Sequence, residues 1–443
     1  MIREVVDGFR RRLTMERFLL RLPNANVVMV ALIRGRVSVE MLARAITGLM
    51  ERHPLLRSRV ELDEGGTAWL TPMGEPTPNI SAASREHPGD WVEHAQREFR
   101  HRFDLLEGPL VRFVLIKSPK SSEVIVNCHH TICDGMSLAI LMRDLMTLLG
   151  DPTAELPGMP VPPALEGDLL PPSASGSLLA RLMIRRLNRR WRKRGHEFGE
   201  KEFSRLHEVF WERSSTDIVP WTLQREETSR FVSKCREERV TVTSALTAAA
   251  MAGGAEASSG RGVGMDRVSV AVNLRDRLRR PVDDAFGYYA SAVNFGFRYD
   301  RRDSFWWNAR KVNGWLRGRL TDGRVFESQL AASLDPGLID SFGLAEMGLL
   351  EDEMVKSIAR RRMTDRRASV LVSNLGRQEI PLRFGSLGLD ALYGPCVHSL
   401  SEKYLGVVTV GGAMHLAFTF DDRATPRRKI EGVRDAMMER LRG

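Results

Sequence analysis

The residues that could do chemistry are concentrated in one stretch, VNCHHTICDGMSL, which runs from position 126 to position 138. His129 and His130 end one apolar run, and Asp134 and Gly135 precede another. A histidine suits proton transfer at neutral pH because its unperturbed pKa is about 6.5. One neutral imidazole could therefore accept a proton from a hydroxyl or an amine that attacks an activated carbonyl group, while Asp134 orders the turn.

Two other interpretations of the same residues stay open. A metal site would need ligands from elsewhere, because adjacent side chains on an extended backbone diverge, and no other histidines occur at HxxxH or HExxH spacing. A structural role also fits, since Asp134 is a favourable N-cap, Gly135 relieves a tight turn, and strand-end histidines can bond buried backbone. We predict that no metal is bound.

The elements around this stretch alternate between strand and helix patterns, which predicts an α/β fold. His129 and His130 then lie at a strand-to-helix junction, a position that commonly faces a crevice in such folds. The predicted elements are strands at 26–35, 108–117 and 122–128, a helix between Ser38 and Pro54, and a helix over 136–150.

A change in composition divides the chain into two α/β halves. Residues 151–176 are rich in proline, glycine and small side chains, which predicts a linker or a long surface loop. We expect an N-terminal subdomain over 1–170, a linker and crossover over 171–215, and a C-terminal subdomain over 216–443. The second half is predicted to contain strands at 267–274 and 368–376 and a hairpin over 404–420 that turns at Gly411 and Gly412.

Composition and charge restrict the class of protein. Of the 443 residues, 43% are hydrophobic and 28% are charged, which are values of a globular protein. No apolar run approaches the roughly 18 residues of a membrane span, and the first residues lack the pattern of a signal peptide, so we expect a cytoplasmic protein. The net charge of +10 favours acidic partners. No nucleic-acid-binding motif is recognisable, and nucleic acid is not an expected partner.

The four cysteines follow neither the CxxC spacing of a zinc site nor the density of a disulfide scaffold. We therefore predict reduced and mostly buried thiols. These residues are Cys128, Cys133, Cys235 and Cys396.

A strongly basic segment, residues 177–194, follows the proline-rich stretch. Leu179, Met183, Leu187 and Trp191 recur every fourth residue, which predicts an amphipathic helix with these side chains on one face. We favour a helix that packs this face against the protein and leaves its arginines in water. Peripheral contact with an anionic membrane at its inner face and docking of an acidic carrier protein are the alternatives.

The motif HHTICDG at 129–135 matches the HHxxxDG signature of a known superfamily. The chain resembles nonribosomal peptide condensation domains, polyketide-associated and alcohol acyltransferases and wax ester synthases, all related in fold to chloramphenicol acetyltransferase. The resemblance continues in ERHPLLRSRV (51–60) and FDLLEGPLVRFVLI (103–116), and downstream in the strand and loop over 268–295.

One further segment distinguishes branches of this superfamily. SVLVSNLG (369–376) is similar to the SNxG strand of the polyketide-associated and alcohol acyltransferases. The DFGWG motif of the plant acyltransferases is absent, and RFGSLGLD (383–390) is at best a distant counterpart of it. The departure argues against the plant branch.

The resemblance implies two chloramphenicol acetyltransferase-like subdomains that form a pseudo-dimer, with the active site in a tunnel between them. It implies that His130 is the general base, that His129 supports it, and that Gly135 lets the turn close near the substrate. Asp134 would be structural and paired with Arg275, a geometry that suits a bidentate ion pair. The neighbouring arginines that could replace Arg275 are Arg277, Arg279 and Arg280.

Ser373 and Asn374, in the SNLG segment, are candidates for polar groups beside the reacting carbonyl. Hydrogen-bond donors at that place would stabilise the oxyanion. The alternative is a strand end capped by its own side chains, because Ser and Asn favour turns.

The resemblance implies a stand-alone acyltransferase that moves an acyl group from acyl-coenzyme A or an acyl carrier protein to a hydroxyl acceptor, such as a lipid or polyketide-type alcohol. We expect stand-alone action because 443 residues leave no room for adenylation or carrier domains. The acyl thioester would be a co-substrate, with no bound metal or organic cofactor and no covalent acyl-enzyme. The alternatives are an amide-forming condensation enzyme that acts on carrier-bound substrates and a non-catalytic docking member of the fold.

Overall fold

The computed structural model describes most of the chain. Gly176, the last residue of the predicted linker, and residues 1–7, which belong to the segment searched for a signal peptide, lie outside the described residues. The described ranges are 8–74, 77–175, 177–257, 266–366, 368–399 and 401–442.

Strands and helices alternate along the described chain, and the strands predicted from sequence are present. The strands are β1 (Arg11–Arg12), β2 (Asn26–Arg34), β3 (Ser58–Leu62), β4 (Ala68–Pro72), β5 (Ile80–Ser84), β6 (Val111–Lys117), β7 (Ser121–His129), β8 (Thr216–Leu223), β9 (Asp266–Asn273), β10 (Ala290–Phe297), β11 (Val370–Gln378), β12 (Arg383–Phe384), β13 (Leu387–Cys396), β14 (Tyr404–Val410) and β15 (Ala413–Asp421). The α-helices are α1 (Val39–Arg52), α2 (Trp91–Arg100), α3 (Gly135–Gly150), α4 (Leu178–Arg192), α5 (Glu200–Arg213), α6 (Arg225–Glu237), α7 (Val242–Ala257), α8 (Phe305–Arg317), α9 (Asp322–Val325), α10 (Pro336–Glu346), α11 (Glu353–Arg366) and α12 (Arg427–Arg442).

Local sequence accounts for the helices next to the motif. The Ser38 side chain accepts a hydrogen bond from the backbone N–H of Met41 and caps α1, as its sequence position predicts. Leu42, Ile46 and Leu49 keep helical spacing and are buried on the inner face of α1. The capped start and the single apolar face let α1 pack against the first sheet.

Two six-stranded sheets dominate the architecture. The strand order is β12-β13-β2-β7-β6-β5 in the first sheet and β10-β9-β11-β14-β15-β8 in the second, and β1, β4 and β3 form a smaller sheet. In the second sheet β14 and β15 form the predicted antiparallel hairpin. In the first sheet, β13 pairs with β2 although it follows most of the second half in sequence. The boundary at residue 216 therefore does not separate the two sheets, because the second half completes the first one.

Each sheet has its own apolar core. α1 and α3 pack with the first sheet, and α7, α8 and α12 pack with the second. A third cluster joins the lobes, since α2, α5 and strands of both sheets contribute to it. The four cysteines are buried and free, as predicted.

The proline-rich stretch before α4 is a packed surface loop. Leu165 and Leu169 are buried in the core of the second lobe. The backbone oxygen of Pro162 accepts a hydrogen bond from the Arg11 side chain, and that of Pro163 accepts one from the Tyr289 hydroxyl. The stretch is therefore fixed to both halves along its length.

α4 forms where the basic amphipathic helix is predicted, but its apolar residues do not share one face. Trp191 is buried and Leu187 is half-buried, whereas Leu179 and Met183 are exposed. The reason is geometric, because a spacing of four residues advances by about 40° more than a full helical turn at every step. Within the described residues, no helix is both long enough and apolar enough to cross a membrane.

Candidate active site

His130 follows the last residue of β7 and lines a mainly apolar cavity at the junction of the lobes. Its ring Nδ1 lies 2.7 Å from the backbone oxygen of Cys133. A carbonyl oxygen can only accept, so Nδ1 carries the proton and Nε2 keeps its lone pair. Burial lowers the pKa of His130, although the bond to Cys133 acts in the opposite direction. The imidazole is therefore neutral at pH 7 and has a basic nitrogen available to the cavity.

His129 points to the other side of β7. Its ring Nδ1 lies 2.8 Å from the Thr131 hydroxyl, and the Phe103 ring meets it edge to face. Burial lowers the pKa of His129 to about 3. It does not belong to the lining of the cavity that His130 faces. The two adjacent histidines therefore have different surroundings.

Asp134 is buried and uses its carboxylate oxygens for hydrogen bonds within the protein. It caps α3 by accepting from the N–H of Ser137, and it accepts from the N–H of Tyr289 in the second half. Burial alone would raise the pKa of Asp134, but the charge and hydrogen bonds of Arg275 hold it below the ordinary value. Both carboxylate oxygens of Asp134 are thus occupied by hydrogen bonds within the protein.

Arg275 forms the predicted bidentate pair with Asp134. Its Nη1 donates over 2.8 Å and its Nη2 over 3.3 Å to the two carboxylate oxygens. Arg277 instead binds Asp322, and Arg280 binds Asp168 at the surface. The side chains of Arg277 and Arg280 are thus engaged elsewhere, and the backbone N–H of Arg279 is bonded to the Leu169 oxygen.

Arg275 also connects the lobes through further bonds. Its Nη2 donates to the hydroxyl of Ser137 on α3 and to the backbone oxygen of Ala285. The Tyr289 ring lies 5.0 Å from its guanidinium carbon. One arginine of the second half therefore fixes the N-terminus of α3, and with it the turn that carries His130.

Gly135 is required by close packing. A Cβ atom at this position would lie 2.8 Å from Cγ of Pro395 and 3.1 Å from a methyl carbon of Leu375. Both neighbours belong to the second half of the chain, on β13 and β11. The glycine therefore lets these strands approach the N-terminus of α3.

The cavity that His130 lines has a volume of about 420 Å³, within the usual range of small-molecule sites. Its walls are mainly apolar, with Val27, Leu206 and Phe210 among them. Ser269 and Ala271 alternate with the buried valines of β9, and their small side chains line the cavity on that side. Residues of both lobes contribute, so the cavity lies where the fold brings the halves together.

Of the two polar candidates on β11, only Ser373 lines the cavity. Its hydroxyl lies near the Tyr404 hydroxyl, and Tyr404 also lines the cavity. Asn374 turns away: its amide nitrogen donates to the Thr243 hydroxyl, and its oxygen accepts from the N–H of Gly376. The arrangement of Asn374 is that of the alternative interpretation, in which a side chain caps its own strand end.

Sequence patterns did not reveal several polar residues of the cavity. The Tyr288 ring meets the His130 ring edge to face at 5.2 Å. His398 lies in the wall with its Nδ1 2.8 Å from the Thr216 hydroxyl, and burial lowers its pKa to about 4. The one available signal in the sequence was the segment SVAV in β9, whose alternating small residues indicate a strand that lines the cavity.

Beside the cavity lies a more open cleft of about 730 Å³. It is lined by Thr243, the partner of Asn374, and by Arg277 and Arg317. Ala271 lines both spaces, so they meet at β9. Within the described residues, no group of three or more His, Cys, Asp or Glu side chains could hold a metal ion.

Comparisons with known families match both halves of the chain. A family model described as "Condensation domain" matches residues 10–160. A second, described as "Phthiocerol/phthiodiolone dimycocerosyl transferase C-terminus", matches residues 216–401. Together the two matches include His130, Asp134 and Arg275.

Curated relatives match over the first part only. Surfactin synthase subunit 2 of Bacillus subtilis is 31% identical over 133 residues, which are 30% of this chain and 4% of that protein. Gramicidin S synthase 2 of Brevibacillus brevis is 33% identical over 122 residues, which are 27% of this chain and 3% of that protein. The chain thus spans only a small fraction of the length of these relatives.

Solved structures match the whole fold. Polyketide synthase associated protein 5 from Mycobacterium tuberculosis aligns with a TM-score of 0.63 at 18% identity, covering 97% of this chain and 98% of that one. Trichothecene 15-O-acetyltransferase from Fusarium sporotrichioides aligns with a TM-score of 0.66 at 12% identity, covering 98% and 95%. At these identities the likeness concerns the fold, and it confirms the predicted two-lobed α/β architecture.

Proposed function

Because the chain belongs to the HHxxxDG superfamily of condensation domains and polyketide-associated acyltransferases, we propose that it moves an acyl group from a thioester to a hydroxyl acceptor. The observation that carries the proposal is the neutral His130, whose Nδ1–H is held by the Cys133 oxygen and whose Nε2 is available to an apolar cavity. That arrangement is what a general base for an alcohol needs.

The reaction uses one proton carrier. Nε2 of His130 accepts the proton of the acceptor hydroxyl while its oxygen attacks the thioester carbonyl carbon. The tetrahedral intermediate then collapses, the carbon–sulfur bond breaks, and the imidazolium returns the proton to the leaving thiolate. An ester and a free thiol result. The cycle contains no covalent acyl-enzyme, and His130 ends in its initial protonation state.

The negative charge that develops on the carbonyl oxygen during this reaction needs a hydrogen-bond donor. The Ser373 hydroxyl is the candidate on β11, since Ser373 lines the cavity on the same wall as Tyr404. The roles of Asp134, Gly135 and Arg275 are to hold the turn of His130, and His129 supports the same turn from inside the first lobe. Each of these roles follows from contacts within the protein.

The shape of the site supports a two-sided approach. The apolar cavity suits an acyl chain or an apolar acceptor such as a lipid or polyketide-type alcohol. The open cleft, which meets the cavity at Ala271, gives the thioester of coenzyme A or of a carrier protein a second approach. Arg317 in the cleft suits the phosphates that both thioester carriers contain, whereas Arg277 is paired with Asp322 of the same lining.

An amine acceptor is the second candidate, and the match of residues 10–160 to the condensation family model favours it. The match of residues 216–401 to a dimycocerosyl transferase, and the fold shared with an enzyme named as an O-acetyltransferase, support the alcohol. Because the second match covers more of the chain, we place the alcohol first.

The test is thiol release from acyl-coenzyme A donors of increasing chain length, with and without pooled alcohols or pooled amines. We expect release that depends on an alcohol, with the ester identified by mass spectrometry, and loss of release in His130→Ala. Acylated carrier protein serves as the second donor series. Absence of release with both donor series, from a protein that unfolds cooperatively, would contradict catalysis and favour a docking role.

A further inference from the structure

The outer surface of the first two turns of α4 is apolar. Leu178, Leu179, Leu182 and Met183 are 77%, 68%, 59% and 65% exposed, respectively. Among the described residues, no other large hydrophobic side chain is more than half exposed. The four are contiguous on the helix, and such a patch on a folded protein indicates an interaction site.

The same outer surface continues as a basic one. In the described part of the chain, the exposed side chains of Arg185, Arg186, Arg189, Arg190 and Lys193 form no ion pair. No acidic residue occurs anywhere between positions 169 and 196. The arginines therefore keep their charge uncompensated beside the apolar patch, and any partner has to supply both apolar volume and negative charge.

The other half of α4 is fixed to the body of the protein. Trp191 packs on Gly337 at the start of α10 and against the ring of His196. The Asn188 side chain donates to the backbone oxygen of Ser333 and accepts from the N–H of Asp335. These contacts anchor the second half of α4, and they give the apolar and basic outer surface a defined orientation.

We propose that α4 docks the protein on the surface of an anionic lipid bilayer. Leu178, Leu179, Leu182 and Met183 enter the boundary between headgroups and acyl chains, and the arginines of the following turns bind the lipid phosphates. A bilayer satisfies both needs at once along the length of a helix, whereas an acidic protein surface alone leaves the apolar patch in water. The docking goes beyond the proposed function and does not depend on it.

The test is co-sedimentation of the full chain with vesicles of phosphatidylcholine, with and without phosphatidylglycerol. We expect the wild type to bind the mixed vesicles and to bind them less as salt increases. Leu179→Gln with Met183→Gln should lower the partition coefficient at least about tenfold, because two apolar side chains no longer enter the interface. Arg185→Gln with Arg189→Gln should lower it by about 30-fold, at roughly 1 kcal/mol for each arginine.

The matched control is Leu62→Gln with Leu106→Gln, which changes two exposed leucines far from α4 in sequence and should leave binding unchanged. Thermal unfolding of every variant establishes that it is folded. Equal binding of the wild type and the Leu179/Met183 variant would overturn the proposal. Binding to an acidic carrier protein that both α4 variants lose, without any binding to vesicles, would also overturn it and assign the surface to that protein.

Discussion

His129 and His130 are neighbours in the chain but lie in two different regions of the molecule. His129 is enclosed by the first lobe beside Thr131 and Phe103, and His130 faces the cavity beside Tyr288. Burial lowers the pKa of both imidazoles. Burial therefore does not distinguish the histidine that we propose as the base from its neighbour.

The hydrogen-bond partner makes the distinction. The backbone N–H of Thr131 can only donate, and it points to Nδ1 of His129 beside the Thr131 hydroxyl, so Nδ1 of His129 accepts and the proton lies on Nε2. The backbone oxygen of Cys133 can only accept, so it fixes the tautomer of His130 and leaves Nε2 basic. The comparison predicts that only one of the two histidines carries protons during turnover.

The largest effect on kcat should come from replacing the side chain of His130, with replacement of His129 as the comparison. His130→Ala should lower kcat by a factor of about 10² to 10⁴, the usual contribution of a general base. His129→Gln retains a hydrogen-bonding side chain and should change kcat by less than about tenfold, because it lies outside the cavity. Steady-state thiol release measures both. If His129→Gln costs as much as His130→Ala, the proposed division of roles is wrong.

The next effect concerns the group that holds His130 in place. Asp134→Asn should lower the free energy of unfolding by about 3–5 kcal/mol, since it leaves the Arg275 charge buried without its partner. The control is Arg280→Gln, which breaks the exposed pair with Asp168 and should cost at most about 1 kcal/mol. Urea unfolding measures both values. Similar losses in the two variants would show that the Asp134 pair is not part of the positioning of His130.

A smaller effect should follow from one methyl group at the N-terminus of α3. Gly135→Ala would place its Cβ against Pro395 and Leu375, and overpacking of this kind costs about 1–3 kcal/mol. Gly314→Ala on α8 is the matched change, because a Cβ there meets nothing within 4 Å and should stabilise the helix by about 0.5–1 kcal/mol. The melting temperature should therefore fall in Gly135→Ala and rise in Gly314→Ala. A neutral Gly135→Ala would mean that the strands of the second half can move away from the motif.

The smallest effect is expected on the pH dependence of the wild type. The base acts when neutral, and burial lowers the pKa of His130 below its ordinary 6.5. Activity should therefore be lost as the pH falls through that lowered pKa, and kcat/KM should rise by no more than about a third above pH 7. A pH profile of kcat/KM measures this, and a midpoint above 6.5 would contradict a buried neutral base.

Much of the fold could be predicted because its signals are local. Ser38 as a cap, the apolar spacing of α1, and the strand before His129 depend on residues within one or two helical turns. The pairing of β13 with β2 could not be predicted in this way, because the two strands are far apart in sequence and their patterns do not specify a partner. The prediction of which side of α4 is buried was also wrong, because that side depends on what packs against Trp191.

The candidate site divides in the same way. The resemblance of HHTICDG and NLR to a known signature predicted His130, Asp134 and Arg275, and the structure brings these three together. It placed Ser373 and Asn374 together as candidates, but adjacent residues on a strand point to opposite sides. Tyr288 and His398 reach the cavity through long-range packing, for which the chain has no local signal.

The sequence by itself determined the elements and the motif, because helix caps, apolar periodicity and a strand-to-helix junction are properties of adjacent residues. The proposal that His130 is the base rests on the resemblance of that motif to a known signature. The tertiary structure alone decided which arginine binds Asp134 and which residues enclose the cavity beside His130. These depend on contacts between segments that lie far apart in the chain, and such contacts exist only once both lobes have packed together.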